Sequence, residues 1–347
     1  MNRTTTLLTA TCALLSSVAA PGISRAQHID VLVEQQNGRL VTGSANFDTN
    51  SRTAGRRVFS YEFDGDFAVN NPGYNSLAAG SPSLPAGTQA LPGNTALAWA
   101  FLPMTIAPHA ANLFYWNGLE SDGSPGIMPS DVQFGALPGP SYTLSLFDQS
   151  GVGIAVDGSN NFVPGGAIGS TTADGSLHLH RYYFLQDNDG NGATLPADGI
   201  YLFAMQFRMP GLQNSLPIFM VFGTPGSSVA ALDTAAVPWV EQQLNLPGDF
   251  NQNGAVDAAD YIVWRNTFNQ TGAGLPADGD NSGTVDQLDY NLWRANVGGQ
   301  SQLTVTATGT GATAGSPSSA IPEPGVGQLL LAAALTLALL SKSRATL

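Results

Sequence analysis

The chain has 347 residues, with 25 acidic against 12 basic side chains, a formal net charge of −13, 40 glycines and 22 prolines. Between Gln27 and Ala320 eight arginines face 24 acids and no lysine occurs, which argues against nucleic acid and anionic lipid as partners, since both need basic surfaces. Many turn-forming residues and few charges suit an exported, mainly β protein.

At the N-terminus, Met1-Asn2-Arg3 precedes an apolar run from Leu7 to Ala20 that is too short to span a bilayer. It reads as a secretory signal over residues 1–26, cut after Ala26, where Ser24-Arg25-Ala26 keeps small residues at the required places. Cys12, the one cysteine, lies inside this segment, so the exported chain has no disulfide and depends on packing and bound ions for stability.

Residues 27–245 are long enough for one sizeable core. Alternation of apolar and polar residues predicts strands at Ile29 to Glu34, Arg39 to Ser44, Val58 to Phe63, Leu97 to Phe101, Asn112 to Trp116, Tyr142 to Phe147 and Gly153 to Asp157. Longer strands are expected at Leu177 to Leu185, Ile200 to Met209 and Pro217 to Phe222, with Gly, Pro, Asn and Asp clusters between them. About ten strands without helical patterns between them imply an antiparallel β-sandwich, jelly-roll-like. Only Val229 to Leu244 reads as helical, interrupted by Pro238.

Two features of this region bear on metals. His178 and His180 project from one side of a strand, a metal pair that needs a third ligand, for which the sequence offers His28. With Gln27-His28-Ile29-Asp30, Tyr183 and Gly199-Ile200-Tyr201, this phrase resembles bacterial surface-anchored domains that carry a His-x-His strand followed by a Gly-x-Tyr strand; the bland alternative is a pair of ordinary sheet histidines. Asp187, Asp189, Asn191, Gly192 and Asp198 fit calcium-loop positions 1, 3, 5, 6 and 12, but Leu195 stands at position 9 and no helix follows, so a polar turn competes with a further calcium ion there. Glu34, Glu62, Glu120 and Glu241 include no marked pair of catalytic carboxylates, and no serine elbow or phosphate-binding glycine loop occurs. Trp99, Tyr115, Trp116 and Trp239 could stack on sugars or belong to the core.

The strongest signal follows at residues 247–299. Asp249, Asn251, Asn253, Asp257 and Asp260, and again Asp278, Asp280, Ser282, Asp286 and Asp289, place oxygen side chains at positions 1, 3, 5, 9 and 12 of a twelve-residue loop. Gly254 and Gly283 stand at position 6, and Ala255 and Thr284 supply the backbone carbonyl of position 7. Calcium takes six to eight oxygens, so one short chain must turn tightly around it and offer alternate residues; the pattern implies two Ca2+ ions. Val256 and Val285, one residue further on, are expected to pair the two loops as a short strand. Each loop is followed by the same helical phrase, Asp260-Tyr261-Ile262-Val263-Trp264-Arg265 and Asp289-Tyr290-Asn291-Leu292-Trp293-Arg294, whose Tyr and Trp share a face and can pack helix on helix.

Asp in place of Glu at position 12, and Pro247-Gly248 in place of an entering helix, make residues 247–299 resemble a type I dockerin, a duplicated calcium module that docks onto cohesin domains. The resemblance implies a small α-helical domain and a cohesin-like or other surface protein as partner. Recognition in that family lies at positions matching Ala258, Ala259 and Arg265, and Gln287, Leu288 and Arg294, which lack the Ser/Thr pairs of well-known cohesin binders.

Residues 300–320, rich in Thr, Gly, Ser and Ala, read as a flexible tether. Ile321-Pro322-Glu323-Pro324-Gly325, the apolar run Val326 to Leu340, and Lys342 and Arg344 make residues 321–347 resemble a PEP-CTERM sorting signal, which implies a transmembrane segment removed by a membrane-embedded sorting enzyme; an ordinary anchor shares the same pattern. The whole reads as a non-catalytic secreted or cell-surface protein with a calcium-dependent docking module. The alternative is a polysaccharide-binding or polysaccharide-degrading protein, by association with the dockerin-like module.

Overall fold

Every second residue of Ile200–Arg208 faces one core and the residues between face another, which makes this strand the centre of the molecule. Tyr201, Phe203, Met205 and Phe207 point to one side, Ile200, Leu202 and Ala204 to the other, and all seven are fully buried. Alternation of side chains along a strand places them there, and burial on both faces explains why the segment reads as a nearly unbroken apolar run. The chain is described by a computed structural model over residues 29–191, 194–272 and 274–305, all within one compact unit. The expected signal peptide, His28, Gly192, the sorting tail and the tether beyond residue 305 lie outside the described residues.

The protein is mainly β. The central sheet runs in the order Val163–Ser170, Ala96–Leu102, Ile200–Arg208, Ile218–Gly223, Val58–Glu62, with Phe114–Trp116 also paired to the Ile200 strand. A five-stranded sheet runs Leu177–Leu179, Tyr74–Ser76, Ile29–Gln36, Arg39–Asn46, Ser51–Ala54. A four-stranded sheet runs Gly153–Val156, Tyr142–Phe147, Tyr183–Asp187, Ala68–Val69. One face of the central sheet shares a core with these two: Phe203 and Phe222 meet edge-on at 5.3 Å, among Val31, Val33 and Tyr74 of the five-stranded sheet and Leu144, Leu146 and Tyr183 of the four-stranded one. The Tyr74 and Tyr183 hydroxyls hydrogen-bond each other there, which satisfies two polar groups in an apolar interior.

The opposite face packs against a helical segment and a small sheet of Leu303–Val305, Met104–Ile106 and His109–Ala111. The helical segment begins as wide π-type turns at Ala231–Ala236 and continues as the α-helix Val237–Leu244, with Pro238 in its first turn. The expected interruption is thus a change of pitch. The Val237 amide reaches back to the Leu232 carbonyl, and the proline, which has no N–H to offer, sits where the new helix begins.

Three expectations change. Two of the sheets are mixed: Tyr74–Ser76 lies parallel to Ile29–Gln36 in the five-stranded sheet, and Val58–Glu62 parallel to Ile218–Gly223 in the central one. Alternation fixes which face a residue takes and leaves the direction of its neighbour open. The expected strand Leu177 to Leu185 is two strands in two sheets, broken at His180, where Arg181 turns to donate to the Ile168 carbonyl at 2.8 Å. Finally, Leu303–Val305, inside the expected tether, is a strand antiparallel to Met104–Ile106, with Leu303 buried against the second core.

Candidate metal centre

The two acidic loops fold alike. In the first, Asp249 Oδ1 accepts from the Asn253 amide at 3.1 Å and Oδ2 from Gly254 at 2.8 Å. In the second, Asp278 Oδ1 accepts from Ser282 at 2.9 Å and Oδ2 from Gly283 at 2.9 Å. Gln252 and Asn281 at position 4, and Gly254 and Gly283 at position 6, all have positive φ, between 56° and 87°. Two left-handed residues so close together curl the chain around its own carboxylates, and glycine relieves the strain at the second.

Asp260 and Asp289, both fully buried, tie the start of each loop to the helix that leaves it. Asp260 accepts from Asn251 at 2.9 Å and from Asp257 at 2.8 Å; Asp289 accepts from Gly279 at 2.7 Å and from Asp286 at 2.8 Å. Asp257 and Asp286 are also the N-caps of helices Ala258–Thr267 and Gln287–Asn296, accepting from Ala259 at 2.7 Å and Leu288 at 2.6 Å. Each loop therefore closes with a reciprocal capping box in which both members are Asp, worth about 1 kcal/mol per cap. The loop spacing had marked these four residues as metal ligands and had not shown this second duty, although Asp-x-x-Asp ahead of an apolar run was there to be read.

The charges fit a hard cation. Asp278, Asp280 and Asp289 offer oxygens within 4.8 Å of one another. The first loop presents the amides of Asn251 and Asn253 in place of Asp280 and Ser282, an equally oxygen-rich set. Burial pushes the Asp249 and Asp260 carboxyls above their ordinary range, which marks sites where negative charge is costly until a cation compensates it.

The halves are joined crosswise. The Trp264 indole donates to the Asp286 carbonyl and the Trp293 indole to the Asp257 carbonyl, both at 2.8 Å. Tyr261, Trp264, Tyr290 and Trp293 form one half-buried aromatic cluster, with Trp264 and Tyr290 centroids 5.0 Å apart and Tyr261 and Trp293 5.3 Å apart. The expected pairing of the loops through their valines is not formed. Val256 instead exchanges backbone hydrogen bonds with Gly298 and Gly299, and Val285 with Asn269 and Gln270. Asn269 and Gly298, at φ of 65° and 90°, turn the chain after each helix back onto the other half's loop, which leaves Val256 and Val285 side chains buried between the halves.

No family model matches the chain, and no curated protein matches its sequence.

Other expected features lie elsewhere. The carboxylates of the 187–198 loop are engaged apart from one another: Asp187 accepts from the Ser141 hydroxyl, Asp189 from Asn191 at 2.7 Å and Thr194 at 2.9 Å, and Asp198 from Thr224 at 2.9 Å in a different turn. Among the described residues these three acids form no metal-ligating group. Trp99, Trp116 and Trp239 are core residues and Tyr115 is half-buried, so the aromatics considered for sugar stacking mostly face inward. Glu34 is buried and accepts from the Leu77 amide at 2.8 Å, while its second oxygen has no partner.

Proposed function

We propose that this is an exported, non-catalytic protein whose 249–260 and 278–289 loops bind two calcium ions, and whose 247–299 segment is a dockerin-type module for attachment to another protein. The observation that carries the reading is the repetition, 29 residues apart, of the same carboxylate-to-amide hydrogen bonds around oxygen-rich loops. Calcium supplies the charge that the buried carboxylates require.

The outward residues of the two helices would meet the partner. Ala258, Arg265, Gln287, Leu288 and Arg294 are exposed, Leu288 at 59 %. Their apolar and basic mixture differs from the hydroxyl pairs of the dockerins that bind cohesins, so the reading favours a cohesin-like or other surface protein with an apolar, acidic patch. Residues 1–26 direct export, and residues 321–347 direct sorting at the membrane, which puts the protein at the cell surface or outside the cell. There, calcium is abundant and a chain without cysteines gains most from it. The β region is read as a sandwich that carries the module.

A calcium titration of the exported chain, followed by tryptophan fluorescence and thermal unfolding, tests the reading. With a dissociation constant of about 10 μM, 1 mM calcium stabilises the module by roughly 2.7 kcal/mol. Saturable binding of two ions, lost stepwise in Asp249→Ala and Asp278→Ala, is expected. The absence of any response up to millimolar calcium would overturn it.

A further inference from the structure

A second, chemically different cluster lies far along the chain from the paired loops. Asp30, His178 and His180 come together on the face of the five-stranded sheet opposite the shared core, each offering a ligand atom within 4.8 Å of the others. The ladder explains how. Val31 pairs with Tyr74 and Leu179 with Tyr74, so Asp30, Gly73 and His180 form one row across three strands, and Asn75 and His178 stand opposite each other two rows on, on the same face.

From these residues we infer a binding site for a divalent transition-metal ion of the zinc class, held by Asp30, His178 and His180, with a fourth position open to water or a ligand. His178 Nε2 lies 3.2 Å from Asp30 Oδ2. Two ligands of a tetrahedral zinc, each about 2.0–2.1 Å from the metal, are separated by about 3.3 Å, so the pair already stands at the edge length of such a site. His180 places Nδ1 2.9 Å from the Asn70 carbonyl, the outer hydrogen bond that fixes a ligating imidazole with Nε2 turned to the metal. Asp30 is fully buried and accepts from the Gly73 amide through Oδ1 at 3.0 Å, which leaves Oδ2 on the side of His178.

Two further observations point to a ligand. Gly73 is not among the residues with positive φ, yet a Cβ there would lie 2.6 Å from His180 Cε1 and 2.7 Å from Asp30 Oδ2. Glycine is thus required for the space between the ligands rather than for its backbone freedom. Beside it, Asn75 is 7 % exposed and its Oδ1 has no hydrogen-bond partner, on the same sheet face as His178. The Phe47 ring stacks on His178 at 5.1 Å and 11°, holding an imidazole whose side chain is 48 % exposed. Two imidazoles and a carboxylate suit zinc and its neighbours, whereas the all-oxygen loops suit calcium, so the two sites divide the metals by donor type. The histidine pair is the one the sequence offered; its expected third ligand, His28, lies outside the described residues, and among those described Asp30 completes the cluster.

Cobalt(II) substitutes for zinc and reports geometry by its visible absorption. The metal-free exported chain, titrated with Co2+ in 5 mM calcium, should develop intense tetrahedral-type bands at one equivalent, bleached by one equivalent of Zn2+. His178→Ala with His180→Ala should abolish the bands, and Gly73→Ala should weaken Co2+ binding at least tenfold. His109→Ala should change nothing, and all variants should keep their circular dichroism and calcium response. A spectrum of octahedral aquo-cobalt alone overturns the inference, as does binding that survives in the double histidine variant or disappears in His28→Ala with His178 and His180 intact. A double histidine variant that loses its fold is replaced by Asp30→Asn, which retains an acceptor for the Gly73 amide and should still lose the tetrahedral bands; unchanged bands there count against the site.

Discussion

At the scale of single residues, buried carboxylates divide into those a cation can compensate and one that burial alone keeps protonated at neutral pH. Glu34 is 1 % exposed, and burial, opposed by one backbone hydrogen bond from Leu77, raises its pKa to about 8. The unfolded chain releases this proton near an ordinary carboxyl pKa and the folded chain near 8, so between them the unfolded state is ionised while the folded state is neutral. Stability therefore falls as pH rises through that window and levels off above about 8. Glu34→Gln keeps the acceptor for Leu77 and removes the titration. Urea unfolding should find it more stable than the parent at pH 7 by up to roughly 3 kcal/mol, with the gap growing from pH 5 to 8; equal stability at every pH would refute a neutral Glu34. Nothing in the sequence distinguished Glu34 from the other glutamates, because an alternating strand places it without revealing that a loop covers its face.

At the scale of elements, the repeated helices were legible because their chemistry is local: Asp at positions 9 and 12, glycine at 6, and Tyr and Trp three apart are all read within one turn of chain. The crosswise assembly was not. Whether Val256 meets Val285 or Gly298 depends on left-handed turns at Asn269 and Gly298 and on hydrogen bonds spanning some 40 residues. The strands show the same division. Tyr142–Phe147 emerged with its predicted bounds, whereas Val163–Ser170, with Pro164, two central glycines and two register shifts, carries no alternating signal at all. One consequence is testable. Trp264 belongs to the first half but holds the N-cap carbonyl of the second. In a chain whose first loop is silenced by Asp249→Ala, Trp264→Phe should still weaken the remaining calcium site severalfold, and destabilise the chain by about 1–3 kcal/mol through the lost hydrogen bond and packing. Isothermal titration measures it, and an unaltered second site would show the indole contact to be incidental.

At the scale of the whole molecule, the module leaves the β region after Leu244 and the chain returns to it at Leu303. Two contacts brace the departure: Gln243 accepts from the Gln302 amide at 2.8 Å, and Arg57, which donates to the Pro217 carbonyl at 2.8 Å, reaches Gln252 of the first loop at 3.4 Å. Burial lowers the Arg57 pKa to about 10, while Asp249 opposes the shift, so the guanidinium stays charged at neutral pH beside the first loop. Leu303→Ala should cost about 2–4 kcal/mol in denaturant unfolding, as a buried leucine does. If the 303–305 strand were an idle stretch of tether, the substitution would be neutral. Closure at both ends also sets where tension runs. A pull applied from the chain beyond Val305 enters the protein through a three-residue ladder on Met104–Ile106, and residues 245–302 form a side loop that bears none of it while that ladder holds. Should the ladder peel away, the slack stored in that loop is released into the load path, and the paired acidic loops with their crosswise indole hydrogen bonds become the next elements to resist the force.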